Sequence, residues 1–295
     1  MPPVELPFHS VSWKVNTRCN YRCTYCLQPA FDDGYPPDLE ATVALISAQL
    51  GRPYEVKIAG GEVMANTDKA LRLVRAIARD GHWLSMCTNF SAPLDAYQQV
   101  VDAMDGRFYH IQCSLHLEYA DPGAFLTKCQ ALAAYLPSHA KLVVNNVIRR
   151  GVPQIRALGE IKRAFEAAGL TFYTDLLVDV HGRYLAYELD ERDAIEAELG
   201  AERRLFTSRG AACRAGHSYF VLLPDLDAWK CWDGYLRSDR AMYLGSLRSG
   251  DFALAAATMT CPYETCSCPT PMIKHQHKLA AAPAPVRRHL PVIGA

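Results

Sequence analysis

The sequence lacks both an excess of charge and a long apolar run. Its 31 basic residues equal its 31 acidic residues, and the formal net charge is zero. This balance gives no argument for binding nucleic acid or an acidic membrane surface. No run approaches the roughly 18 consecutive apolar residues of a membrane span. The amino-terminal residues lack a basic segment followed by an apolar one, so we expect no secretory signal and a cytoplasmic protein.

Cysteine, in contrast, is abundant and unevenly placed. The chain of 295 residues contains 11 cysteines. In a reducing compartment that number favours metal or redox chemistry over a disulfide framework. Three cysteines lie within residues 19–26, five lie within residues 213–268, and the others stand apart between these groups. The sequence therefore predicts two separate cysteine sites.

The first cysteine group is one ligand short of a closed metal site. Cys19, Cys23 and Cys26 lie within eight residues of one another. Thiolates favour zinc, copper(I) or iron–sulfur clusters, and a structural zinc ion takes four ligands. Three thiolates on a four-iron cluster would leave one iron open to a substrate or cosubstrate. Taken alone, the loop fits a cluster, a zinc site or a thiol pair.

Residues 10–178 alternate between short β-rich runs and longer helical runs. Apolar residues in the helical runs recur at three- and four-residue spacing, as at Leu71, Val74 and Ile77. This alternation predicts parallel strands with right-handed crossovers, and its six units fall short of the eight of a closed barrel. We therefore expect an α/β fold with a partial (β/α)6 barrel. The predicted strands are Ser10–Val15, Tyr54–Ala59, Trp83–Thr88, Phe108–Leu115, Lys141–Val147 and Leu170–Leu177, and the predicted helices are Asp38–Leu50, Thr67–Asp80, Pro93–Met104, Pro122–Tyr135 and Val152–Ala168.

Polar residues stand at the carboxyl ends of the predicted strands. Ligands of parallel α/β folds bind at these ends. The cysteine loop follows the first strand, Gly60-Gly61-Glu62 follows the second, and Thr88-Asn89 ends the third. The same position on later strands gives candidate substrate contacts, which are His116, Asn145, Asn146, Asp175, Asp179 and Arg183.

Two of these motifs carry a family resemblance. The loop has the pattern C-x3-C-x2-C with an aromatic residue, Tyr25, before its last cysteine, and Gly60-Gly61-Glu62 ends the second unit. Together they resemble the radical S-adenosylmethionine superfamily over residues 10 to about 180. The resemblance implies a [4Fe–4S] cluster whose fourth iron binds the amino and carboxylate groups of S-adenosylmethionine. The cluster ligands would be Cys19, Cys23 and Cys26.

The resemblance also implies roles for residues that bind the cosubstrate. Tyr25 would contact the adenine, and Ser114 would lie near the ribose. The Gly60-Gly61-Glu62 backbone would bind the methionine amino group, because glycine lets a ligand approach the backbone closely. The alternative for that stretch is a tight turn followed by a solvated glutamate.

The sequence departs from the superfamily pattern at two positions of this region. His116 stands where many members have aspartate, and Phe90 replaces the glycine that commonly follows Thr88-Asn89. Cys87, Cys113 and His116 are the candidates for a catalytic role. For Cys87 and Cys113 the alternative is a small buried hydrophobic residue. For His116 the alternative is a hydrogen-bonded histidine at the rim.

The second cysteine group defines a predicted domain at residues 213–279. It follows a core at residues 1–180 and a connecting segment at 181–212, and it precedes an Ala- and Pro-rich tail at 280–295. Its motifs resemble the SPASM and twitch extensions, although Leu226 stands where a glycine is usual. We expect one auxiliary [4Fe–4S] cluster, with a four-cysteine zinc site as the alternative. Four of five residues would ligate it: Cys213, Cys231, Cys261, Cys266 and Cys268.

The activity implied by the resemblance is reductive cleavage of S-adenosylmethionine. An external donor such as flavodoxin or ferredoxin would supply the electron, and the resulting 5′-deoxyadenosyl radical would abstract a hydrogen atom. Barely ten residues precede the first strand, so we expect no peptide-recognition domain there. This favours a small molecule such as a sugar, aminocyclitol or nucleoside-like intermediate, undergoing oxidation, epimerisation or rearrangement. A peptide maturase is the alternative, and a non-catalytic zinc protein is the remote one.

Overall fold

Strands and helices alternate along most of the chain. The computed structural model describes residues 9–27, 34–51, 53–181, 183–200, 208–264 and 266. The strands are β1 Ser10–Lys14, β2 Glu55–Ala59, β3 Trp83–Thr88, β4 Phe108–Ser114, β5 Lys141–Val147, β6 Thr171–Asp175, β7 Ala212–Cys213, β8 Tyr219–Leu222, β9 Asp227–Trp229, β10 Tyr243–Ser246 and β11 Met259–Thr260. The helices are α1 Leu39–Leu50, α2 Thr67–Arg79, α3 Leu94–Ala103, α4 Pro122–Tyr135, α5 Val152–Ala167, α6 Leu189–Leu199 and α7 Trp232–Leu236.

One nine-stranded sheet organises these elements. Its strand order is β10-β9-β8-β1-β2-β3-β4-β5-β6, and β7 pairs with β11 in a separate two-stranded sheet. Strands β1 to β6 are parallel and adjacent in chain order, β8 is parallel to β1, and β9 and β10 are antiparallel to their neighbours. The α/β class with a mostly parallel sheet is confirmed. All carboxyl ends of β1 to β6 therefore meet at one edge of the sheet.

The helices form because their apolar residues share one face and their ends are capped. In α2 the residues Leu71, Val74 and Ile77 are buried, and the Asn66 side chain accepts the Lys69 N–H at 3.0 Å. The predicted first helix begins one residue later than expected because Asp38 is its cap. The Asp38 carboxylate accepts the Ala41 N–H at 2.9 Å, and the Asp38 backbone is extended, so the helix begins at Leu39.

Strands β1 and β2 are buried on both faces. In β1, Val11 and Trp13 are fully buried, and the strand shows no polar–apolar alternation in its burial. That pattern is typical of a parallel strand covered on both sides. The six predicted strands are all present, with differences only at their ends. The largest difference is at the sixth strand, where the β6 pairing covers Thr171–Asp175 rather than Leu170–Leu177.

Three further strands of the sheet and two helices, α6 and α7, were not predicted. Strands β8 to β10 have three or four residues each, too few for a clear period. Helix α6 lies inside the segment predicted as a connection, and it begins at an unusual capping box. There the Glu188 side chain takes the place of the Ser or Thr that normally signals such a start, with Glu191 as its partner. Among the described residues, no helix is long and apolar enough to cross a membrane.

Candidate functional site

The cysteine loop leaves the carboxyl end of β1 and reaches the surface within a few residues. Cys19 and Cys23 are half-buried and Cys26 is exposed. The Cys26 N–H donates to the Cys23 carbonyl at 3.1 Å, which closes a tight turn. The Tyr21 N–H donates to Cys19 Sγ at 3.3 Å. The turn holds the last two cysteines near each other, and the first sulfur already accepts a backbone hydrogen bond.

Gly60 and Gly61 pack directly against the segment that leads into this loop. A Cβ on Gly60 would lie 2.2 Å from Asn16 Oδ1, and one on Gly61 would lie 2.2 Å from the Arg18 carbonyl oxygen. The Gly61 N–H donates to both Asn16 oxygens at 3.1 Å. The Glu62 N–H donates to the Arg18 carbonyl at 2.8 Å. The two sequence motifs are thus joined through their backbones, and glycine is required because of that contact.

The Glu62 side chain is buried and not solvated, so the alternative of a solvated glutamate is wrong. Only 1% of the Glu62 surface is exposed to solvent. One carboxylate oxygen accepts the Met64 N–H and the Thr88 hydroxyl, both at 2.7 Å, and the other accepts the Asn89 N–H at 2.5 Å. Burial raises the pKa of Glu62, and the N–H groups of Asn89 and Met64 oppose that rise. The carboxylate fixes the end of β3.

Asn89 continues this network to the cysteine loop. Its side-chain N–H donates to Asn20 Oδ1 at 2.8 Å and lies 3.9 Å from Cys19 Sγ. The Asn20 amide in turn donates to Ser91 Oγ at 2.9 Å. Thr88-Asn89 was predicted to end the third strand. In the structure Asn89 connects the end of β3 to the first cysteine of the loop.

Phe90 adopts the backbone conformation that usually requires glycine. Its φ is +59°, and the side chain is nearly fully buried. The ring centroid lies 4.6 Å from that of Tyr97 and 5.4 Å from that of Phe125. Lys128 Nζ sits 4.3 Å from the Phe90 ring centroid and donates to the Phe90 carbonyl at 2.7 Å. Aromatic and cation–π contacts thus hold a non-glycine residue in the left-handed conformation.

The segment after β4 contacts the cysteine loop through His116. His116 Nδ1 lies 2.8 Å from the Tyr25 hydroxyl and 3.4 Å from Cys23 Sγ. The Tyr25 ring lies nearly parallel to the imidazole, and the Tyr21 ring meets it edge-on. Burial lowers the pKa of His116, while the Glu118 carboxylate opposes that change. His116 therefore lies at the rim with two partners from the loop.

Two residues that the sequence analysis missed complete this contact. Glu118 accepts the Thr24 N–H at 2.9 Å and the Thr24 hydroxyl at 2.5 Å. The Tyr119 hydroxyl accepts the Arg22 N–H at 2.9 Å. The Tyr119 ring stacks on Tyr21 with centroids 4.3 Å apart. Their only sequence signal was their position within three residues of His116, just after a predicted strand.

The environment of Cys23 disfavours its free thiolate. Burial first, then the neighbouring Cys26 and the Glu118 carboxylate, raise the pKa of Cys23 to about 11, while a hydrogen bond from Tyr25 lowers it. A cation bound to the sulfur would reverse this balance, since metal-bound cysteine is deprotonated. Binding of a positively charged metal cluster at the loop would thus be accompanied by release of thiol protons.

A row of polar side chains lies across the carboxyl ends of β4, β5 and β6. Ser114 Oγ donates to Asn145 Oδ1 at 2.9 Å, and the Asn145 amide donates to Asp175 Oδ2 at 3.0 Å. Asn146 points elsewhere, because its amide donates to the Leu115 carbonyl. The structure therefore brings together three predicted contact residues and separates Asn146 from them.

Asp179 and Arg183 lie in an exposed turn beyond β6. Arg183 Nε donates to Asp179 Oδ2 at 3.0 Å, and the Asp179 N–H donates to the Arg183 carbonyl at 2.7 Å. The two residues therefore stabilise the turn through each other. Their assignment as substrate contacts stays a prediction.

Cys87 and Cys113 occupy different environments in the sheet. Cys87 in β3 is half-buried, whereas Cys113 in β4 is fully buried beside Cys129. Burial and then the Cys129 side chain raise the pKa of Cys113. A fully buried thiol among apolar residues behaves as a small hydrophobe. A catalytic role for either cysteine stays a prediction.

Three late cysteines form a second group. Cys213 and Cys261 are buried in a small apolar cluster, and Cys231 packs against it. The Ala215 N–H donates to Cys213 Sγ and the Gly234 N–H to Cys231 Sγ, both at 3.4 Å. The pairing of β7 with β11 aligns Cys213 with Met259, two residues before Cys261. Sulfurs that accept backbone N–H groups are suited to thiolate ligation of a metal or cluster.

Of the two remaining late cysteines, Cys266 lies within the described residues. Cys266 is half-buried, and Cys268 lies outside the described residues, as do the whole predicted tail at 280–295 and the segment 201–207. Within the described ranges, no three Cys, His, Asp or Glu side chains are close enough to hold one metal ion. A zinc ion draws four ligands to within about 2.3 Å of one point. A four-iron cluster is larger and spreads its ligands further apart.

A family model and a curated protein match part of the chain. The model of the Radical SAM superfamily matches residues 13–121. The 7-carboxy-7-deazaguanine synthase of Methanospirillum hungatei is 34% identical over 77 residues, which are 26% of this chain and 32% of that protein. The chain thus matches about a third of the length of this curated relative.

Solved structures share the fold over most of the chain. SuiB of Streptococcus suis, bound to its precursor peptide SuiA, superposes with a TM-score of 0.56 at 14% identity, covering 80% of this chain and 61% of SuiB. The structure of anSMEcpe with bound AdoMet and the Cp18Cys peptide superposes with a TM-score of 0.54 at 15% identity, covering 81% of this chain and 77% of anSMEcpe. At these identities the likeness concerns the fold.

Proposed function

We propose that this chain, whose residues 13–121 form a radical SAM superfamily domain, is an enzyme that generates a radical from S-adenosylmethionine. Membership of the domain in this superfamily implies a [4Fe–4S] cluster and S-adenosylmethionine as cofactors. The observation that carries the proposal is the contact between the two motifs. Gly60 and Gly61 pack so closely on Asn16 and Arg18 that no larger residue fits. The cysteine loop and the glycine pair therefore form one site.

The residues present fit a cluster with one open iron. Cys19, Cys23 and Cys26 supply three thiols from one loop, and the Tyr21 N–H already donates to the first sulfur. Soft thiolates are the ligands that iron–sulfur clusters prefer. The partial exposure of all three cysteines leaves the sulfurs accessible to a cluster and its cosubstrate.

The chemistry would come from the cofactors, and the protein would hold and orient them. A cluster held by Cys19, Cys23 and Cys26 would, when bound and reduced by one electron, supply reductive cleavage of S-adenosylmethionine and with it the removal of a hydrogen atom from the substrate. The Gly61 and Glu62 N–H groups are engaged by Asn16 and Arg18. A methionine amino group donates hydrogen bonds, so we assign its binding to carbonyl groups of this strand end. Tyr25 would contact the adenine.

The row at Ser114, Asn145 and Asp175 supports a small polar substrate or cosubstrate group. It presents hydroxyl, amide and carboxylate groups at adjacent strand ends. Such groups suit a sugar, aminocyclitol or nucleoside-like molecule, with Ser114 nearest the cosubstrate ribose. The partial match to a 7-carboxy-7-deazaguanine synthase is compatible with a small heterocycle. A peptide is the second candidate, because the fold neighbours SuiB and anSMEcpe bind peptides.

The late cysteines would hold an auxiliary [4Fe–4S] cluster in a twitch-like region. Cys213, Cys231 and Cys261 already lie together, and their sulfurs accept or make local hydrogen bonds. Cys266 or Cys268 would supply the fourth ligand. Such a cluster could accept an electron from the substrate radical, which favours an oxidoreductase-type outcome over rearrangement. A flavodoxin or ferredoxin would supply the electron to the first cluster.

Anaerobic purification tests the proposal. We expect a brown protein with about eight iron atoms per chain, from two four-iron clusters. Reduction in the presence of S-adenosylmethionine should release 5′-deoxyadenosine. The variant with Cys19, Cys23 and Cys26 changed to Ala should lose this product and about half the iron. A colourless, zinc-loaded protein that forms no 5′-deoxyadenosine would refute the proposal.

A further inference from the structure

Tyr25 and His116 form a hydrogen-bonded pair that lies directly against Cys23. His116 Nδ1 is 2.8 Å from the Tyr25 hydroxyl and 3.4 Å from Cys23 Sγ. The Tyr25 hydroxyl is also a hydrogen-bond partner of Cys23. One sulfur, one hydroxyl and one ring nitrogen therefore lie in mutual reach. The neighbouring rings of Tyr25 and Tyr21, one nearly parallel and one edge-on, fix the imidazole in this position.

The chemistry of a cluster ligand decides the direction of these hydrogen bonds. An iron-bound cysteine sulfur has no proton, so it can only accept. The groups in reach that can donate to it are the Tyr25 hydroxyl and the N–H of His116 when the proton is on Nδ1. If Tyr25 donates to the sulfur, the imidazole can donate to the tyrosine oxygen. If the His116 Nδ1–H donates to the sulfur, the Tyr25 hydroxyl oxygen can accept a hydrogen bond from the same N–H. Both of these arrangements deliver a hydrogen bond to Cys23, whereas a Tyr25 hydroxyl that donates to an unprotonated His116 Nδ1 delivers none.

The donors within reach of the Cys23 sulfur are side chains. Cys19 accepts a backbone N–H from Tyr21, which no side-chain substitution removes. Cys23 instead receives its hydrogen bonds from two side chains on different elements, the loop itself and the end of β4. Hydrogen bonds to the sulfurs are one of the factors that set the reduction potential of an iron–sulfur cluster. The strength of this contact can therefore be changed by mutation without altering a ligand.

We propose that Tyr25 and His116 are positioning residues that donate a hydrogen bond to the Cys23 sulfur and thereby raise the reduction potential of the loop's cluster. This inference rests on the proposed function, because it requires a cluster at Cys19, Cys23 and Cys26. A hydrogen bond to sulfur stabilises the more negative, reduced state, so its loss makes reduction harder. The histidine at position 116, where many superfamily members have aspartate, gains a specific role in this arrangement.

Potentiometric titration of the intact, cluster-loaded protein, followed by electron paramagnetic resonance, tests the inference. The signal of the loop's cluster is identified as the one that changes when S-adenosylmethionine is added. Tyr25→Phe and His116→Phe should each shift its midpoint potential to a more negative value, and the double variant should shift it further. Each tenfold loss in the reduction equilibrium constant corresponds to about 59 mV for this one-electron step.

Two further variants separate the hydrogen bond from general disturbance of the loop. His116→Asn keeps an N–H donor near the place of Nδ1 and should restore most of the wild-type potential. Tyr119→Phe removes a hydroxyl that accepts a backbone N–H from Arg22 and does not touch a sulfur, so it should leave the potential unchanged. If His116→Phe assembles no cluster, Tyr25→Phe and His116→Asn still give the comparison.

The possible failures are distinguishable from one another. If the wild-type protein binds no cluster at the loop, the proposed function fails and the inference fails with it. If every variant binds the cluster and the double variant keeps the wild-type potential, the inference is overturned while the proposed function stands. A shift of equal size in Tyr119→Phe would also overturn it, because the effect would then come from the loop's position.

Discussion

The Glu62 carboxylate accepts the backbone N–H of Asn89 at 2.5 Å, although the two residues end different strands. The same carboxylate accepts the Thr88 hydroxyl, and the Asn89 side chain reaches Asn20 and Cys19 in the cysteine loop. The glutamate of the Gly-Gly-Glu stretch is therefore a structural link between β2, β3 and the loop. Its side chain faces the protein interior, and only the backbone of the stretch remains for a ligand.

Changing Glu62 to Gln should weaken this link. The amide supplies one donor group where the carboxylate accepts three hydrogen bonds from N–H and O–H groups. A buried donor facing a donor costs about 1–3 kcal/mol of unfolding free energy, which urea titration of the apo protein would measure. Glu40→Gln, an exposed carboxylate paired with Arg72, is the matched control and should change stability little. Equal stability of the two variants would contradict the assigned role.

Gly61→Ala should remove the loop's cluster while leaving the sheet folded. The added Cβ would lie 2.2 Å from the Arg18 carbonyl oxygen and 2.5 Å from that of Thr17, and these are backbone atoms that cannot rotate away. We expect the iron content to fall by about half, with the far-ultraviolet circular dichroism unchanged. Gly34→Ala is the control, since a Cβ there meets nothing within 4 Å. Full iron content in Gly61→Ala would refute the contact.

The hydrophobic period and the motif positions were enough to predict the six parallel strands and the loop at the end of β1. The contacts of Glu118 and Tyr119 were not predictable in the same way. Glu118 meets Thr24 across 94 positions of the chain, and this depends on how three intervening strands curve and align. Strand β8 likewise pairs with β1 in the register Ser10↔Tyr219. A four-residue strand carries no signal of its partner.

Phe90 provides a test of backbone conformation. At most buried positions a glycine variant is less stable than an alanine variant, and at Phe90 we do not expect this order. Truncating this buried ring should cost about 3–5 kcal/mol in either variant. Because φ is +59°, glycine avoids the left-handed strain of about 1–2 kcal/mol that alanine keeps. Phe90→Gly should therefore be no less stable than Phe90→Ala in urea unfolding.

Leu71 in α2 provides the matched comparison. It is buried in the helix interior, where glycine costs about 1 kcal/mol more than alanine. Leu71→Gly should therefore be the less stable of its pair. If Phe90→Gly were less stable than Phe90→Ala by the same margin as at Leu71, the left-handed conformation of Phe90 would be wrong.

His82 should make the stability of the fold depend on pH near neutrality. Burial lowers the pKa of His82 below its usual 6.5, with the Asp80 carboxylate opposing this. Nδ1 accepts the Tyr54 N–H at 3.0 Å, which requires the neutral ring. The unfolded state therefore binds more protons below about pH 6.5, and stability should fall as the pH drops through 6.5 toward the lower folded value.

The His82→Asn variant checks this assignment. Asparagine keeps an acceptor near Nδ1 for the Tyr54 N–H but does not titrate. Urea unfolding at pH 7.5 and 5.5 should show a smaller difference in unfolding free energy for His82→Asn than for wild type. His139→Gln controls for the loss of one imidazole elsewhere, in the turn before β5. An unchanged pH dependence in His82→Asn would rule out His82 as its source.

The late cysteines should lose their cluster independently of the first. Cys213 and Cys261 lie in one small apolar cluster with Cys231 against it, on elements other than those that carry the glycine pair. Changing Cys213 and Cys261 together to Ser should remove about half the iron and leave the signal that responds to S-adenosylmethionine. Cys129→Ser, a buried cysteine outside both groups, is the control and should keep all the iron. Loss of the cosubstrate-responsive signal in the double variant would show that the two cysteine groups form one centre.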